Sequence, residues 1–254
     1  MSYLHALILG IVEGITEFLP ISSTAHMILA GRLLGLGDSD FVKSFQIIIQ
    51  LGAILSVVVL FWRKLLDRDV LAKAVVGFVP IGLAGLTVYK AVKSYLLGNV
   101  PVVLGALLVG GIVLVLFDRR RQEEDGPVDF STITYGRAAA IGAFQCLGLI
   151  PGVSRSAATI VGGSLIGVPR RTIIEFSFLL AIPTMAAATG YDLLKNYRLL
   201  GGNFDVLAVG FVVSFVVALL AIKSFLGYIK NRSFAAFGWY RIVLAVLYFV
   251  VFLR

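Results

Sequence analysis

Long apolar runs that carry almost no charge dominate this chain, and they restrict the folds available to it. Phe45 to Phe61, Val100 to Phe117 and Val206 to Phe225 are examples. Each run approaches the roughly 17 to 25 residues that a helix needs to cross a bilayer. Charged residues make up only 14% of the 254 residues, against about a quarter in a soluble domain. The sequence therefore predicts an integral membrane protein with several spans.

The length of these runs favours helices over the short alternating strands of an outer-membrane barrel. We predict an all-α fold, a polytopic membrane helical bundle with six transmembrane helices. The net charge of +8 is typical of the Lys- and Arg-rich cytoplasmic loops of such proteins, so no nucleic-acid partner is expected. The single cysteine, Cys146, excludes an intrachain disulfide. The predicted spans are residues 45–61, 74–89, 100–117, 174–193, 206–225 and 237–252.

Two polar segments interrupt the apolar sequence. We call residues 13–26 (EGITEFLPISSTAH) the first island and residues 151–159 (PGVSRSAAT) the second island. Ionisable groups in such surroundings are costly, which makes them functional candidates. Pro20 and Pro151 disfavour a continuous helix, and the serines that follow suit helix N-caps. We therefore predict that each island lies in a re-entrant helix-loop-helix hairpin that dips into the membrane and returns.

The second half of the chain repeats the first at a shift of 132 to 133 residues. The two repeats, about 1–118 and 133–254, would each hold one hairpin and three spans, joined by a charged loop at 118–132. An odd number of crossings inverts the second repeat, so the hairpins would meet near the bilayer midplane within a single membrane domain. The matching positions are Gly10 and Gly142, Glu13 and Gln145, Ser22 and Ser154, Thr24 and Ser156, Gly31 and Gly163, Gly35 and Gly167, Gly77 and Gly210, Lys90 and Lys223, and Gly105 and Gly238.

Positive charge is divided unevenly between the two predicted sides. Loops 63–73, 118–132, 167–172 and 224–234 would share one side and hold most of the Lys and Arg residues. Because cytoplasmic loops carry the excess of positive charge, this side is predicted to be cytoplasmic, with both termini outside. The first hairpin would then enter from outside and the second from inside, and the active site would face the outer side.

Glu13 and Glu17 are four residues apart, so they project from one face of a helix, one turn apart. Two such carboxylates repel unless a cation or a proton lies between them. They could bind a hard divalent cation such as Mg²⁺ or Ca²⁺, or one of them could stay protonated as an acid or base. A purely structural alternative is pairing with Arg155 or Arg241.

The two islands together suit the handling of a phosphate. Ser22, Ser23 and Thr24 open a helix whose N-terminus can bind an anion, and His26 can exchange a proton near pH 7. Arg155 can bind phosphate oxygens bidentately and, at this depth, needs an anionic partner. Such an ensemble suits phosphoryl transfer on a substrate with a lipid tail. The other substrate-binding candidates are Gly152, Ser154, Ser156 and Thr159, while Glu175 and Arg241 are expected near span ends, where they could snorkel.

The two islands resemble the two signature motifs of the undecaprenyl-diphosphatase family (BacA/UppP, the bacitracin-resistance proteins), without a departure in either motif. The resemblance covers essentially the whole chain. It implies a bacterial inner-membrane hydrolase that converts undecaprenyl diphosphate to undecaprenyl phosphate and phosphate with a divalent cation. It also implies recycling of the lipid carrier for peptidoglycan and other envelope polymers, and bacitracin resistance. The family's site residues map to Glu13, Glu17, Ser23, His26 and Arg155.

The mechanistic hypothesis takes Ser23 as the nucleophile, assisted by His26 or Glu17. Ser154 and direct attack by water remain alternatives at this point. A flippase or transporter for the lipid carrier is the competing function, because inverted repeats are common in transporters. Expected partners are the polyprenyl diphosphate and membrane lipids, and a homodimer is left open.

Overall fold

The computed structural model describes residues 1–37, 39–91, 96, 99–119, 126–196, 203–230 and 232–252. Within these ranges every regular element is a helix, which confirms the all-α fold. Six of the described helices are long and apolar enough to cross a membrane, as predicted, so the protein is a multi-pass membrane protein. They are α3 (Asp40–Leu65), α4 (Arg68–Ala91), α5 (Val100–Arg119), α8 (Arg170–Asn196), α9 (Phe204–Ile229) and α10 (Ala235–Phe252).

Each predicted span lies inside one of these helices, and all six helices are longer than predicted, in most cases because polar residues extend their ends. Helix α3, for example, begins at Asp40, where the side chain of Ser39 accepts a hydrogen bond from the Val42 amide. In the predicted charged loop, residues 120–125 lie outside the described residues. The part that follows forms a 3₁₀ turn, Phe130–Thr132, which the Asp129 side chain caps at the Ser131 amide.

Each island covers the break between two shorter helices and part of their ends, so that four shorter helices form two pairs. The first pair is α1 (Tyr3–Thr16) and α2 (Ser23–Leu33); the second is α6 (Tyr135–Gln145) and α7 (Arg155–Leu165), with a 3₁₀ turn between them. None of the four reaches the length that a membrane crossing needs. The break in each apolar segment is therefore confirmed, while the return of each pair to its own side of the membrane stays a prediction.

Local backbone geometry recurs at the spacing of the proposed repeat. Ser22 and Ser154 have φ of 70° and 74°, and Gly35 and Gly167 have φ of 67° and 81°. The chain therefore bends in the same way before and after α2 and α7. This recurrence supports an internal duplication, while its inverted topology stays a prediction.

Helix packing follows the same pairing of the two halves. Helix α1 packs on α9, and its counterpart α6 packs on α4. At the first contact a Cβ on Gly10 would lie 2.9 Å from the Gly210 carbonyl oxygen, and at the second a Cβ on Gly142 would lie 2.0 Å from that of Gly77. Glycine is needed at these positions because the backbones touch. A Cβ on Gly105 would meet open space, so the sequence match of Gly105 with Gly238 has no counterpart in the helix packing.

The loop of the first island is fixed to the protein core by an aromatic contact. Phe18 is fully buried, and its ring meets that of Phe178 on α8 edge-on, with centroids 5.3 Å apart. Helix α8 in turn packs on α3, α4 and α7. The centre of the protein is thus built around α8, and both islands lie against it.

Candidate active site

The two islands are in direct contact, as the sequence predicted. Arg155 Nη2 donates a hydrogen bond to Glu17 Oε1 over 2.8 Å. Ser156 Oγ donates to the Leu19 carbonyl oxygen over 3.0 Å. Because Arg155 is the first residue of α7 and Glu17 caps the end of α1, the contact joins the two broken segments at their breaks.

Glu17 lies at the centre of this contact, with only 6% of its surface exposed. One carboxylate oxygen accepts from Arg155, and the other accepts from Ser23 Oγ over 2.5 Å. Of the arrangements considered for the two glutamates, pairing with Arg155 is thus confirmed for Glu17. The same carboxylate is placed to take a proton from the Ser23 hydroxyl.

Glu13 differs from Glu17 because neither of its carboxylate oxygens has a hydrogen-bond partner, although the residue is fully buried. A buried carboxylate without a partner is costly, so it requires a cation or a proton. Mg²⁺ is commonly held by one or two carboxylates together with substrate phosphates and water. No group of three His, Cys, Asp or Glu side chains that could hold a metal occurs among the described residues. Two carboxylates could hold a divalent cation if phosphate and water completed its ligand shell, and a proton on Glu13 is the alternative.

Ser22 and Ser154 carry a strained backbone, and they are the only residues other than glycine with positive φ in the described part of the chain. Their hydroxyls cap α2 and α7 by accepting from the amides of Ala25 and Ala157. A non-glycine residue in this region costs about 1–3 kcal/mol and is typical of functional sites. Both strained residues lie where a helix N-terminus opens toward the Arg155–Glu17 pair.

Ser177 on α8, which the sequence did not indicate, binds the guanidinium of Arg155 through its backbone carbonyl. Arg155 Nη1 donates to the Ser177 carbonyl oxygen over 3.2 Å. The Ser177 hydroxyl lies 2.6 Å from Thr159 Oγ1, and both residues are fully buried. Thr159, predicted to bind substrate, thus helps to hold the α7–α8 contact. A single serine in an apolar helix gives no signal in the sequence.

The expectation that Arg241 lies near a span end, where it could snorkel, is wrong. Arg241 is fully buried, and its guanidinium donates to the carbonyl oxygens of Pro20, Gly152 and Val153 over 3.2, 2.8 and 3.1 Å. Two further hydrogen bonds go to carbonyls of α5. Gly152, another predicted binding residue, has φ of 101° and presents its carbonyl to this arginine. The sequence feature that could have indicated this buried position is an arginine inside an otherwise apolar run.

His26 lies one turn after Ser22 and contacts other groups than Ser23. Its Nδ1 lies 2.7 Å from the Ser22 carbonyl oxygen, and its Nε2 lies 2.8 Å from the hydroxyl of Tyr240 on α10. Of the two assistants considered for Ser23, Glu17 is the one in contact with its hydroxyl. Thr24 is half-buried beside this turn.

The second island holds its own hydroxyls together. Ser154 Oγ lies 3.1 Å from Ser156 Oγ. Glu175, which was expected near a span end, forms an ion pair with Lys64 that joins α8 to α3. Neither Lys64 nor Glu175 takes part in the contact between the islands.

Sequence similarity to known proteins identifies the family of this chain. The sequence model of the family described as Bacitracin resistance protein BacA matches residues 6–247. This chain belongs to the BacA family. It is 46% identical to a protein of Aquifex aeolicus named undecaprenyl-diphosphatase, over all of both chains. Proteins of the same name from Bdellovibrio bacteriovorus and Campylobacter jejuni are each 47% identical, over 99% of this chain and 96% and 95% of theirs. Both islands lie within the residues that the BacA family model covers.

Proposed function

We propose that this protein is a membrane enzyme that hydrolyses undecaprenyl diphosphate to undecaprenyl phosphate and inorganic phosphate. The observation that carries the proposal is the buried contact of Arg155 with Glu17 and of Glu17 with Ser23, in a chain of the BacA family. Its role is to recycle the lipid carrier for peptidoglycan and other envelope polymers. Consuming the diphosphate also accounts for bacitracin resistance, because bacitracin sequesters that lipid.

Arg155 and the N-termini of α2 and α7 bind the diphosphate, since both provide positive charge and hydrogen-bond donors. Phosphoryl transfer depends mainly on this kind of positioning and charge neutralisation. Ser22, Thr24, Gly152, Ser154 and Ser156 line the two helix starts and are the proposed binding residues. Thr159 acts through the α7–α8 contact described above.

The chemical step follows from the contact between Ser23 and Glu17. Ser23 Oγ forms a bond to the terminal phosphorus while the bridging P–O bond breaks, and undecaprenyl phosphate leaves. Glu17 takes the hydroxyl proton. Water then attacks the phosphoserine, phosphate is released and the Ser23 hydroxyl is restored. Ser154 and direct attack by water are the alternatives that the experiment in the Discussion distinguishes.

A divalent cation held by Glu13 and Glu17 is part of the proposal, supported by the unpartnered carboxylate oxygens of Glu13. When bound, the cation neutralises charge on the phosphates. It also relieves the repulsion between two buried carboxylates one helical turn apart. Mg²⁺ and Ca²⁺ both suit oxygen ligands.

Purified protein in detergent should release inorganic phosphate from undecaprenyl diphosphate, and EDTA should stop the release until Mg²⁺ or Ca²⁺ is restored. Detergent removes the sealed compartments that transport requires, so this assay separates a hydrolase from a flippase. Lipid movement across vesicles without phosphate release in detergent would contradict the enzyme. Hydrolysis that persists in EDTA would favour a shared proton between Glu13 and Glu17 over a cation.

The proposed location is the bacterial inner membrane, with the active site open to the outer side and both termini outside. The excess of Lys and Arg in residues 63–73, 118–132, 167–172 and 224–234, much of it at the helix ends that flank these connections, supports this orientation. Single cysteines placed at Ser2 and at Asp67, in a variant without Cys146, should react with an impermeant thiol reagent in intact cells only at Ser2. The reverse labelling pattern would overturn the orientation. A homodimer stays a prediction.

A further inference from the structure

The imidazole of His26 is held between two fixed partners. Its Nδ1 lies 2.7 Å from the Ser22 carbonyl oxygen, which can only accept a hydrogen bond. In the neutral ring Nδ1 must therefore carry the proton, and Nε2 must be an acceptor. Its Nε2 lies 2.8 Å from the Tyr240 hydroxyl, which then donates to it. Burial lowers the pKa of the His26 imidazole, and the nearby positive charge of Arg241 on α10 lowers it further, so the neutral ring is favoured.

The Tyr240 ring also fixes the plane of the imidazole. The two rings are stacked, with centroids 5.6 Å apart and planes 3° apart. The partner of one ring nitrogen decides the protonation of the other. The Ser22 carbonyl thus sets the tautomer of His26, while Tyr240 sets the orientation of the ring and holds Nε2.

We propose that Tyr240 is a positioning residue for His26, fixing the orientation of its ring with Nε2 facing helix α10, while the Ser22 carbonyl sets the Nδ1–H tautomer. The proposal rests on the function proposed above, because it assigns His26 a role in that reaction. Tyr240 is 45% exposed, so its hydroxyl can exchange its partner when the substrate arrives. His26 then offers Nε2 to a substrate or a water in a geometry that is fixed before binding.

The two histidines of the chain make a direct spectroscopic test available. His5 Nδ1 accepts a hydrogen bond from the Ser2 amide, so His5 should hold its proton on Nε2. In protein labelled with ¹⁵N-histidine, the two rings should therefore show opposite tautomers near neutral pH. Tyr240→Phe should remove the hydrogen bond at Nε2 and so shift the ¹⁵N signal of His26 Nε2, with the Nδ1–H tautomer kept by the Ser22 carbonyl and the His5 signals unchanged. Identical His26 signals in the variant would overturn the proposal, whether or not the protein hydrolyses the lipid.

Steady-state kinetics provide a second test of the proposal. Loss of a residue that orients a catalytic group commonly costs about 10-fold or more in activity. We expect Tyr240→Phe to lower kcat by about 10-fold with KM nearly constant. In a His26→Ala background the same change should have no further effect. An additional loss in that background would place the action of Tyr240 elsewhere and refute the assignment.

Tyr248→Phe is the matched control, because Tyr248 lies on the same helix, is nearly buried and packs on Phe252. It should leave both kcat and the His26 signals unchanged. Thermal unfolding of all variants keeps a folding defect separate from a positioning defect. A loss of kcat in Tyr248→Phe equal to that in Tyr240→Phe would make the effect a general property of α10 and overturn the proposal.

Discussion

Arg155→Met and Glu17→Gln should each lower kcat by about 10²–10⁴-fold, because one removes a charge that stabilises the phosphoryl transition state and the other removes a general base. The structure adds an expectation about stability. Their side chains are only 11% and 4% exposed, so either single change leaves an uncompensated buried charge. Breaking a buried pair from one side costs about 3–5 kcal/mol.

The double variant Arg155→Met/Glu17→Gln separates the two effects. It removes both charges, so much of the thermal stability lost in the single variants should return, while kcat stays at the level of the single variants. Unfolding temperature and phosphate release, measured on the same preparations, check this. Full activity in either single variant would refute the shared site. Additive losses of stability would show that the two side chains do not act as a pair.

The ion pair between Lys64 and Glu175 provides the matched control for these single and double variants. It also joins two membrane helices and is partly buried, with side chains 35% and 15% exposed. It lies outside the contact between the islands. Glu175→Gln should therefore lower the unfolding temperature with little change in kcat, which shows that disturbing a helix-joining ion pair does not in itself stop hydrolysis.

Ser23→Ala should lower kcat by about three orders of magnitude, because a covalent mechanism cannot proceed without its nucleophile. Its hydroxyl is 2.5 Å from Glu17 Oε2, whereas the hydroxyl of Ser154 contacts Ser156 and the start of α7. Acid quenching with substrate labelled in the terminal phosphate should trap a phosphoenzyme, and peptide mapping should place it on Ser23.

Stereochemistry at phosphorus gives an independent answer to the same question. Two successive displacements retain configuration, and a single attack by water inverts it. Recovery of the labelled phosphate on Ser154 would identify Ser154, in the second island, as the nucleophile. Inversion without a trapped intermediate would make Ser23 a binding residue. Ser154→Ala is the matched control and should lose its helix cap, at a cost of about 0.5–2 kcal/mol in stability, with much smaller loss of kcat.

Features that depend on local sequence were predictable, and those that depend on distant contacts were not. The spans and breaks followed from apolar length and from proline and serine positions, and the contact between the islands followed from the repeat. Ser177 and Tyr240 were missed because single hydroxyls in apolar helices have no pattern. Arg241 was noticed, but its position was predicted wrongly. Its partners are backbone carbonyls up to 221 residues away, and every residue has a carbonyl, so the sequence does not indicate which ones it binds.

Arg241 also limits how symmetric the two halves of the chain can be. It binds the carbonyls of Pro20 and Gly152, which are matching positions of the two repeats. Two identical half-chains related by a two-fold axis would bring two guanidinium groups to this one place, and like charges buried together repel strongly. The first repeat instead has the apolar Leu108 at the corresponding position. The predicted duplication would therefore require the two copies to diverge at this position, so that a single cation serves both loops.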